Sequence, residues 1–258
     1  MRRHKFHEKT LRPGRSPARD KAASAAGLRR VYERLFKAFG PQGWWPVSPR
    51  SGWPPAYRRL FYGPQPEKAC FEICAGALLA QNTAWANART ALAGLVSSGK
   101  LTVESLSRMD LRVLGGLIRS SGFYRQKAAR LKGFSAYVLI RHPEGIRKWF
   151  SVTPLEELRD ELLKINGIGP ETADSMILYA GGRPKFVVDA YTHRIFGRLG
   201  LVSGTYAGLQ SAFERALPPD HRVYNEYHAL IVALGKDCCR KTRPLCGKCP
   251  LKSMCAVP

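Results

Sequence analysis

The apolar positions along most of the chain recur at spacings of three and four residues, a pattern that predicts α-helices. Residues 28–39 show it in Leu28, Val31 and Leu35, and Gly40-Pro41 ends the segment. Residues 40–66 are rich in Pro, Gly and Trp, which predicts an irregular connection. Strand-like alternation is nearly absent, so the sequence predicts an all-α fold.

Helix follows helix from Glu67 onward. One segment, 154–164, carries an N-terminal signal, with Thr153 predicted as the N-cap, Pro154 in the first turn and Glu156 completing a capping box. Helices are predicted at 71–83, 85–96, 103–108, 111–119, 123–140, 154–164, in the segment after Gly169, within 186–201, at 206–217 and at 222–235.

The charge of the chain narrows the class of partner. The formal net charge is +23 and the pI is about 10.2, which favours binding to a polyanion, most often nucleic acid. Residues 1–30 hold ten Lys or Arg and two acidic residues, with few large apolar side chains. This composition predicts a disordered basic arm, placed at 1–27, with sequence-independent affinity for phosphate. No apolar run is long enough for a membrane span and no signal peptide is evident, so a cytoplasmic protein is expected, associated with the nucleoid if its source is bacterial.

A tight turn between two helical patterns lies in the segment 162–180. Gly167 and Gly169 flank Ile168, and Pro170 opens the second helix. Glycines permit positive φ and leave backbone N–H groups bare, and a helix N-terminus favours phosphate. Ile168 is expected to fill the gap between the helices. With Ile165, Thr172 and Ala173 these residues fit a helix–hairpin–helix pattern, so Gly167, Ile168, Gly169 and Thr172 are predicted to bind DNA.

A single carboxylate follows an apolar run twenty residues further on. Asp189 stands at the predicted start of a helix, where it is expected to cap the first turn. A capping aspartate is held ionised and oriented. Such a carboxylate is able to stabilise an oxocarbenium-like sugar while a base departs, and to guide an attacking water.

The hairpin, the following Gly/Pro segment and Asp189 resemble the helix–hairpin–helix/Gly-Pro/Asp DNA glycosylases, in the endonuclease III-like branch. The resemblance covers about Glu67 to Cys255. It implies two helical subdomains that flank a DNA-binding cleft, Asp189 as the catalytic residue, and a base flipped from double-stranded DNA. Within 78–83, Gln81 matches the residue that enters the gap left by the flipped base.

The resemblance also implies a domain organisation. An N-terminal helix and a Trp/Pro-rich segment occupy 28–66, and the glycosylase domain occupies 67–258. Within that domain, 67–185 forms a central helical subdomain with the hairpin at 162–180. Residues 186–258 and the N-terminal helix together form the subdomain of the C-terminal cluster. A monomer is expected.

One departure from the family pattern bears on the reaction. Members that also cleave the DNA backbone carry a lysine two residues after the second hairpin glycine, where its amine forms a Schiff base. Glu171 stands there in this chain, and a carboxylate forms no Schiff base. The prediction is a monofunctional glycosylase. A bifunctional glycosylase and abasic-site lyase acting on oxidised pyrimidines stays open, with Lys164 or Lys185 as a displaced amine.

A second departure follows Asp189, where Ala190-Tyr191 replaces the Thr-His of endonuclease III. With Trp44, Trp45 and Pro46 upstream, the chain looks more like the 3-methyladenine glycosylases of this branch. Aromatic faces attract electron-poor alkylated bases. Trp44, Trp45 and Trp53 are therefore candidates for a base pocket, the alternative being that they pack in a core.

Cysteines crowd the C-terminus. Cys239, Cys246, Cys249 and Cys255 are separated by six, two and five residues, a spacing that matches the [4Fe–4S] loop of endonuclease III-type proteins. Cys238 is expected to be a non-ligand, and zinc is the alternative metal.

A non-catalytic DNA-binding protein on the same scaffold is a further alternative to an enzyme. The two differ in whether Asp189 has a catalytic function.

Overall fold

The computed structural model describes the backbone of residues 17–50 and 52–257, and the side chains from residue 25 onward. Twelve α-helices lie within these described residues: α1 (Pro17–Phe39), α2 (Glu67–Ala80), α3 (Trp85–Ser97), α4 (Val103–Arg108), α5 (Leu111–Leu117), α6 (Tyr124–Arg141), α7 (Ile146–Val152), α8 (Leu155–Lys164), α9 (Pro170–Ser175), α10 (Ala190–Leu199), α11 (Tyr206–Ala216) and α12 (His221–Asp237). Helix α9 continues into a π-helical turn, Met176–Ala180. Short 3₁₀ turns lie at Arg119–Ser121, Cys246–Lys248 and Lys252–Met254.

The all-α prediction is confirmed. In the part of the chain that the structure describes there is no strand, and the one extended pairing is an isolated bridge between Val47 and Ala56 in the irregular 40–66 connection. None of the helices searched over those residues has the length and apolarity needed to cross a membrane.

The helices pack around one connected apolar core in two neighbouring groups. Helix α2 is buried along nearly its whole length and packs against α3, α6 and α7. Helix α1 packs against α11 and α12, where Tyr227 donates a hydrogen bond to the Leu28 carbonyl at 2.6 Å. The π-helical turn contacts both α2 and α12. This turn therefore lies where the two groups of helices meet.

Three local predictions are wrong. Helix α1 begins at Pro17, so residues 17–27 are helical rather than part of a disordered arm; the Ala-rich stretch 22–26 has high helix propensity. The rest of the predicted arm lies outside the described residues. The helix predicted at 71–83 ends at Ala80, because the backbone of Gln81 leaves the helical region with a ψ of 125°, and Asn82 then adopts a positive φ of 52°. Helix α7 was not predicted.

The capping box predicted at Thr153 is also wrong. Pro154 is the residue that precedes α8, and no side chain caps that helix. Thr153 is instead the C-cap residue of α7, where its N–H donates to the Trp149 carbonyl at 3.2 Å.

Candidate active site and DNA-binding hairpin

The hairpin between α8 and α9 uses its two glycines differently. Gly167 has a φ of +87°, and a Cβ at this position would lie 2.5 Å from the Arg130 side chain. Gly169 is extended, with a φ of −98°, so the expectation of positive φ holds only for Gly167. Ile168 is buried between the helices, as expected of an apolar plug. No side chain caps α9, whose first N–H groups are therefore free of side-chain partners.

Gln81 lies against this hairpin. Its Nε2 donates to the Gly167 carbonyl and to Thr172 Oγ1, both at 2.9 Å, and its Oε1 accepts from Arg130 Nη1 at 2.6 Å. The amide thus links the end of α2 to the hairpin and to α6. In this conformation Gln81 would have to break these hydrogen bonds before its side chain entered a DNA duplex. The Thr172 hydroxyl is also engaged within the protein, because it accepts a hydrogen bond from Gln81.

A buried carboxylate in α9, the second helix of the hairpin, bonds to side chains of two other helices. Asp174 in α9 is fully buried and accepts from Arg159 Nε at 2.7 Å, from the Tyr206 hydroxyl at 2.7 Å and from Gln210 Nε2 at 2.7 Å. These partners come from α8 and α11. Because a buried charge is costly unless it is paired, this network holds α9 in one place relative to both helices.

Asp189 caps the first turn of α10, as expected from the sequence. Its Oδ1 accepts from the Thr192 backbone N–H at 2.8 Å and from Thr192 Oγ1 at 2.9 Å. Asp189 is only 8% exposed. Burial by itself would raise the pKa of Asp189, but the nearby His228 imidazole and the Thr192 donors outweigh it and hold the pKa below its ordinary value. The carboxylate is therefore ionised at neutral pH.

His228 faces the other oxygen of Asp189, and the sequence reasoning missed it. Its Nε2 lies 3.6 Å from Asp189 Oδ2, and its Nδ1 lies 2.6 Å from the Tyr179 hydroxyl. Both side chains are buried. A histidine within the apolar helix α12 was the only signal in the sequence, and such a residue is more often part of a core.

Glu171 lies in the first turn of α9 and is exposed. Although the side chain is accessible to solvent, the surrounding protein partly desolvates its carboxyl group. This loss of solvation, followed by the charge of Asp189, raises the pKa of Glu171 to about 6, with His228 acting in the opposite direction. The two lysines considered as displaced amines are placed differently. Lys185 is buried and pairs with Glu156 at 3.3 Å and Glu214 at 3.9 Å, whereas Lys164 is exposed at the end of α8.

Two of the three candidate tryptophans join an aromatic cluster beside this site. Trp44 and Trp45 are buried, and each ring lies 5.1 Å from Trp85, centroid to centroid. Trp45 also lies 5.4 Å from Tyr179, the partner of His228. Trp53 is 52% exposed and pairs with Arg50 instead. The cluster therefore excludes Trp53 and gains Trp85, which the sequence reasoning did not single out.

The indole N–H groups of Trp44, Trp45 and Trp85 are buried and have no hydrogen-bond partner among the described residues. Trp44 and Tyr57 also line a pocket of about 270 Å³ against α12. Its remaining walls are formed by Gln42, Arg59, Ala229, Val232, Ala233, Lys236 and Asp237. The pocket combines aromatic faces with charged and amide groups, which suits a flat polar ring.

An exposed aromatic side chain lies beside the Gln81 turn. Phe123 is 67% exposed and has a φ of +46°. Lys127 Nζ donates to the Ser121 carbonyl at 2.7 Å and to the Leu79 carbonyl at 2.8 Å, so it ties the Phe123 loop to the end of α2. Burial, followed by the charge of Arg130, lowers the pKa of Lys127 to about 8. Neither Phe123 nor Lys127 is predicted from the sequence to belong to the site.

The C-terminal cysteines fold back onto α10. Arg198 Nη1 lies 3.3 Å from Cys239 Sγ, and the Arg198 carbonyl accepts from the Ala256 N–H at 3.2 Å. Cys246 and Cys249 lie at the first of the two 3₁₀ turns that close this segment. All the cysteines are free thiols, and no group of acidic, His or Cys side chains in the described part of the chain is arranged to hold a metal ion. Four thiols on one short segment nevertheless suit iron–sulfur chemistry.

This chain is similar to known DNA repair proteins in sequence and in fold. Residues 75–219 match the HhH-GPD superfamily of base excision DNA repair proteins. A protein of Methanocaldococcus jannaschii described as a candidate DNA repair glycosylase is 39% identical over 88% of this chain and 95% of its own length. Endonuclease III of Thermotoga maritima is 30% identical over 72% of this chain and 82% of its own length.

The chain belongs to the HhH-GPD superfamily. It is a DNA-binding enzyme of base excision repair, a DNA N-glycosylase. The fold agrees, because an endonuclease III–DNA complex superposes with a TM-score of 0.70 at 22% identity, over 90% of this chain and 95% of that one. A 3-methyladenine DNA glycosylase of H. pylori, bound to 1,N6-ethenoadenine, superposes with a TM-score of 0.61 at 24% identity, over 82% of this chain and 96% of that one.

Proposed function

We propose that this glycosylase hydrolyses the bond between deoxyribose and a damaged, electron-poor base in duplex DNA, and that it leaves the DNA backbone intact. The observation that carries the proposal is the pair of carboxylates at Asp189 and Glu171. Asp189 is ionised and fixed, as stabilisation of an oxocarbenium-like sugar requires. The neighbouring position that would carry an amine in a lyase carries Glu171 instead.

The reaction follows from these groups. Charge develops on the sugar as the base departs, and the Asp189 carboxylate stabilises that cation without needing to reorganise. A water then adds to the anomeric carbon and loses a proton, which yields an abasic site. Glu171, with a pKa of about 6, is partly protonated near neutral pH and supplies no nucleophile for a Schiff base.

DNA contact is proposed for the face that carries the hairpin. The backbone N–H groups at Gly167 and Gly169 are available to a phosphate, whereas the Ile168 N–H donates to the Ile165 carbonyl at 3.1 Å and the Ile168 side chain stays buried. The Gln81 turn adjoins this hairpin through the hydrogen bond from Gln81 to the Gly167 carbonyl, and Lys127 ties the Phe123 loop to the end of α2 next to that turn. We expect one protein molecule to bind one lesion-containing duplex.

Borohydride trapping on lesion-containing duplexes tests the absence of lyase chemistry. Wild type should release a base and give no covalent adduct, and alkali should be needed to cleave the strand. The Glu171→Lys variant is the matched control, because it restores an amine and should become trappable. A strong adduct with wild type would instead favour the bifunctional alternative acting on oxidised pyrimidines.

The preference for an alkylated base is supported by the aromatic cluster and its unpartnered indole N–H groups. A purine nucleotide alkylated at N3 or N7 is cationic, and a cation over an aromatic face gains about 1–2 kcal/mol. Release of 3-methyladenine should therefore exceed release of thymine glycol. Trp44→Leu should slow it about 5- to 30-fold, whereas Trp53→Leu, at an exposed site outside the cluster, should not. Equal release from both lesions would contradict the preference.

We also propose that Cys239, Cys246, Cys249 and Cys255 hold a [4Fe–4S] cluster that cross-links the C-terminal segment. Cys238 stays outside this set because it is buried and its thiol donates to the Leu245 carbonyl at 3.1 Å. Purified protein should be brown, absorb near ~400 nm and contain iron and sulfide in equal amounts. A colourless protein with one bound zinc would refute the cluster and favour a zinc site.

A further inference from the structure

His228 is a buried imidazole on α12 that lies between Asp189 and Tyr179. Its two nitrogens have unequal partners. Nδ1 is 2.6 Å from the Tyr179 hydroxyl, which is hydrogen-bond distance, whereas Nε2 has no hydrogen-bond partner among the described residues and points at Asp189 Oδ2 from 3.6 Å. A buried polar nitrogen left unpartnered is costly, so this one calls for a reason.

Two neighbours together decide which nitrogen carries the proton. Complete burial raises the pKa of Tyr179 far above its ordinary value, so its hydroxyl keeps its hydrogen and is able to donate to Nδ1. A lone pair on Nε2 would face the Asp189 carboxylate from 3.6 Å and be repelled by it, so the single proton of a neutral imidazole lies on Nε2 and Nδ1 accepts from Tyr179. If the imidazole is instead doubly protonated, Nε2 still carries a proton. In both states an N–H faces the carboxylate.

We infer that His228, held in this tautomer by Tyr179, is a positioning residue that aims Asp189 and keeps it ionised for base release. The inference deepens the proposed function, because it rests on the role of Asp189 there. The carboxylate is then fixed from two sides. Thr192 holds Oδ1 from α10, at 2.8 and 2.9 Å, and His228 faces Oδ2 from α12.

The gap of 3.6 Å leaves room for adjustment. Catalytic hydrogen bonds are often long without substrate and tighten in the complex. A looser contact on Oδ2 leaves that oxygen able to face the sugar, while Oδ1 remains bound to the helix. The His228 N–H therefore orients the working oxygen without blocking it.

The other titratable groups coupled to Asp189 must be controlled in any test. Glu171 from α9, Tyr179 from the π-helical turn and Tyr191 from α10 each have a pKa raised in part by the Asp189 charge. Both tyrosines are neutral over the acid range. Glu171 is therefore the one competing carboxylate, and its removal should shift Asp189 in the direction opposite to removal of His228.

The decisive measurement is the pKa of Asp189 in the full-length protein, followed by NMR of carboxyl-labelled aspartate, with Asp189→Asn to assign the signal. His228→Leu should raise the pKa of Asp189 by about one pH unit. His228→Gln keeps a donor near the Nε2 position and should restore most of the shift. Glu171→Gln should lower the pKa. An unchanged pKa in His228→Leu, with a native circular dichroism spectrum, overturns the inference.

A kinetic readout separates positioning from a role in folding. His228→Leu should lower the single-turnover rate of base release and move the acid limb of its pH profile upward, while the Kd for DNA stays the same. Tyr179→Phe, which keeps the ring and removes only the tautomer-fixing hydroxyl, should show the same changes more weakly; it also serves if His228→Leu fails to fold. A loss of rate without a shift in the pH profile would mean that His228 acts through the fold alone.

Failure of the inference and failure of the proposed function give different results. If wild type releases no base from any lesion, the function is wrong, yet the NMR titration still decides whether His228 controls Asp189. If base release is normal and the pKa of Asp189 ignores His228, the function stands and the inference falls.

Discussion

Two carboxylates begin two helices in this glycosylase, and they behave in opposite ways. Asp189 precedes α10, is buried, and has a pKa held below its ordinary value. Glu171 lies in the first turn of α9, is exposed, and has a pKa raised to about 6. Each is where a helix dipole favours an anion. Position at a helix N-terminus therefore does not decide the charge state here.

The difference lies in what each carboxylate meets across the fold. Asp189 receives two donors from Thr192 and faces His228, and these outweigh its burial. Glu171 loses solvation without a matching set of donors, and the charge of Asp189 repels it further. One ionised carboxylate next to a second that retains a proton more readily is a common arrangement where catalysis needs two acid–base states.

Of the changes to these two carboxylates, neutralising Asp189 should have the largest effect on base release. Asp189→Asn keeps an oxygen to cap α10 and removes the charge, so base release should fall about 10²- to 10⁴-fold, while the Kd for DNA changes little. Single-turnover release and fluorescence anisotropy measure the two effects. Activity that survives this change would mean that Asp189 does not carry the chemistry, and would leave room for a non-catalytic or different mechanism.

Removing one donor from Asp189 should have an intermediate effect. Thr192→Val deletes the buried hydroxyl that donates to Oδ1, so the protein should lose about 1–2 kcal/mol of unfolding free energy. The pKa of Asp189 should rise and the rate of base release should fall, by less than in Asp189→Asn. Thr192→Ser keeps the hydroxyl and should stay near wild type in urea unfolding and in rate. A loss in Thr192→Ser as large as that in Thr192→Val would mean that the methyl group, which only the serine variant removes, contributes as much as the hydroxyl.

The smallest effect is expected at Glu171, in stability. The folded protein holds a proton on Glu171 up to a pKa of about 6, above the ordinary value of 4.5, so the unfolding free energy falls as pH rises through this window. Glu171→Gln should therefore be more stable than wild type above pH 6, by about 1 kcal/mol or less because the side chain is exposed. Urea unfolding at pH 4.5 and 7.5 measures this difference, which should shrink at the lower pH. A constant difference at both pH values would contradict the raised pKa.

Much of the fold was predictable because helical periodicity is a local property. Most helices lie within a few residues of their predicted positions, and the Asp189 cap was readable from its place after an apolar run. The errors arise where local signals compete. Thr153 fits an N-cap by its residue type, yet it closes α7 instead. Residues 17–27 have a basic composition and still form a helix.

The site was predictable only in part. Sequence spacing picked out Gln81, the hairpin, Glu171 and Asp189, which the fold brings close to one another. It missed His228, Tyr179, Trp85 and Phe123, because their roles depend on neighbours far away along the chain. His228 lies 39 residues after Asp189, and nothing in its own segment separates it from a core histidine.

The sequence alone determined the helical class of the fold, the basic character, the hairpin and the identities of the two carboxylates, since each depends on a short stretch of chain. The tertiary structure alone places Asp189 in a buried position 3.6 Å from His228 Nε2, and gives the Glu171 carboxylate no donor among the described residues. It also decided that Trp44 and Trp45 pack with Trp85 beside that site while Trp53 does not. The charge of each carboxylate and the set of tryptophans in the aromatic cluster depend on distances between helices. Those distances are set by the packing of the whole core.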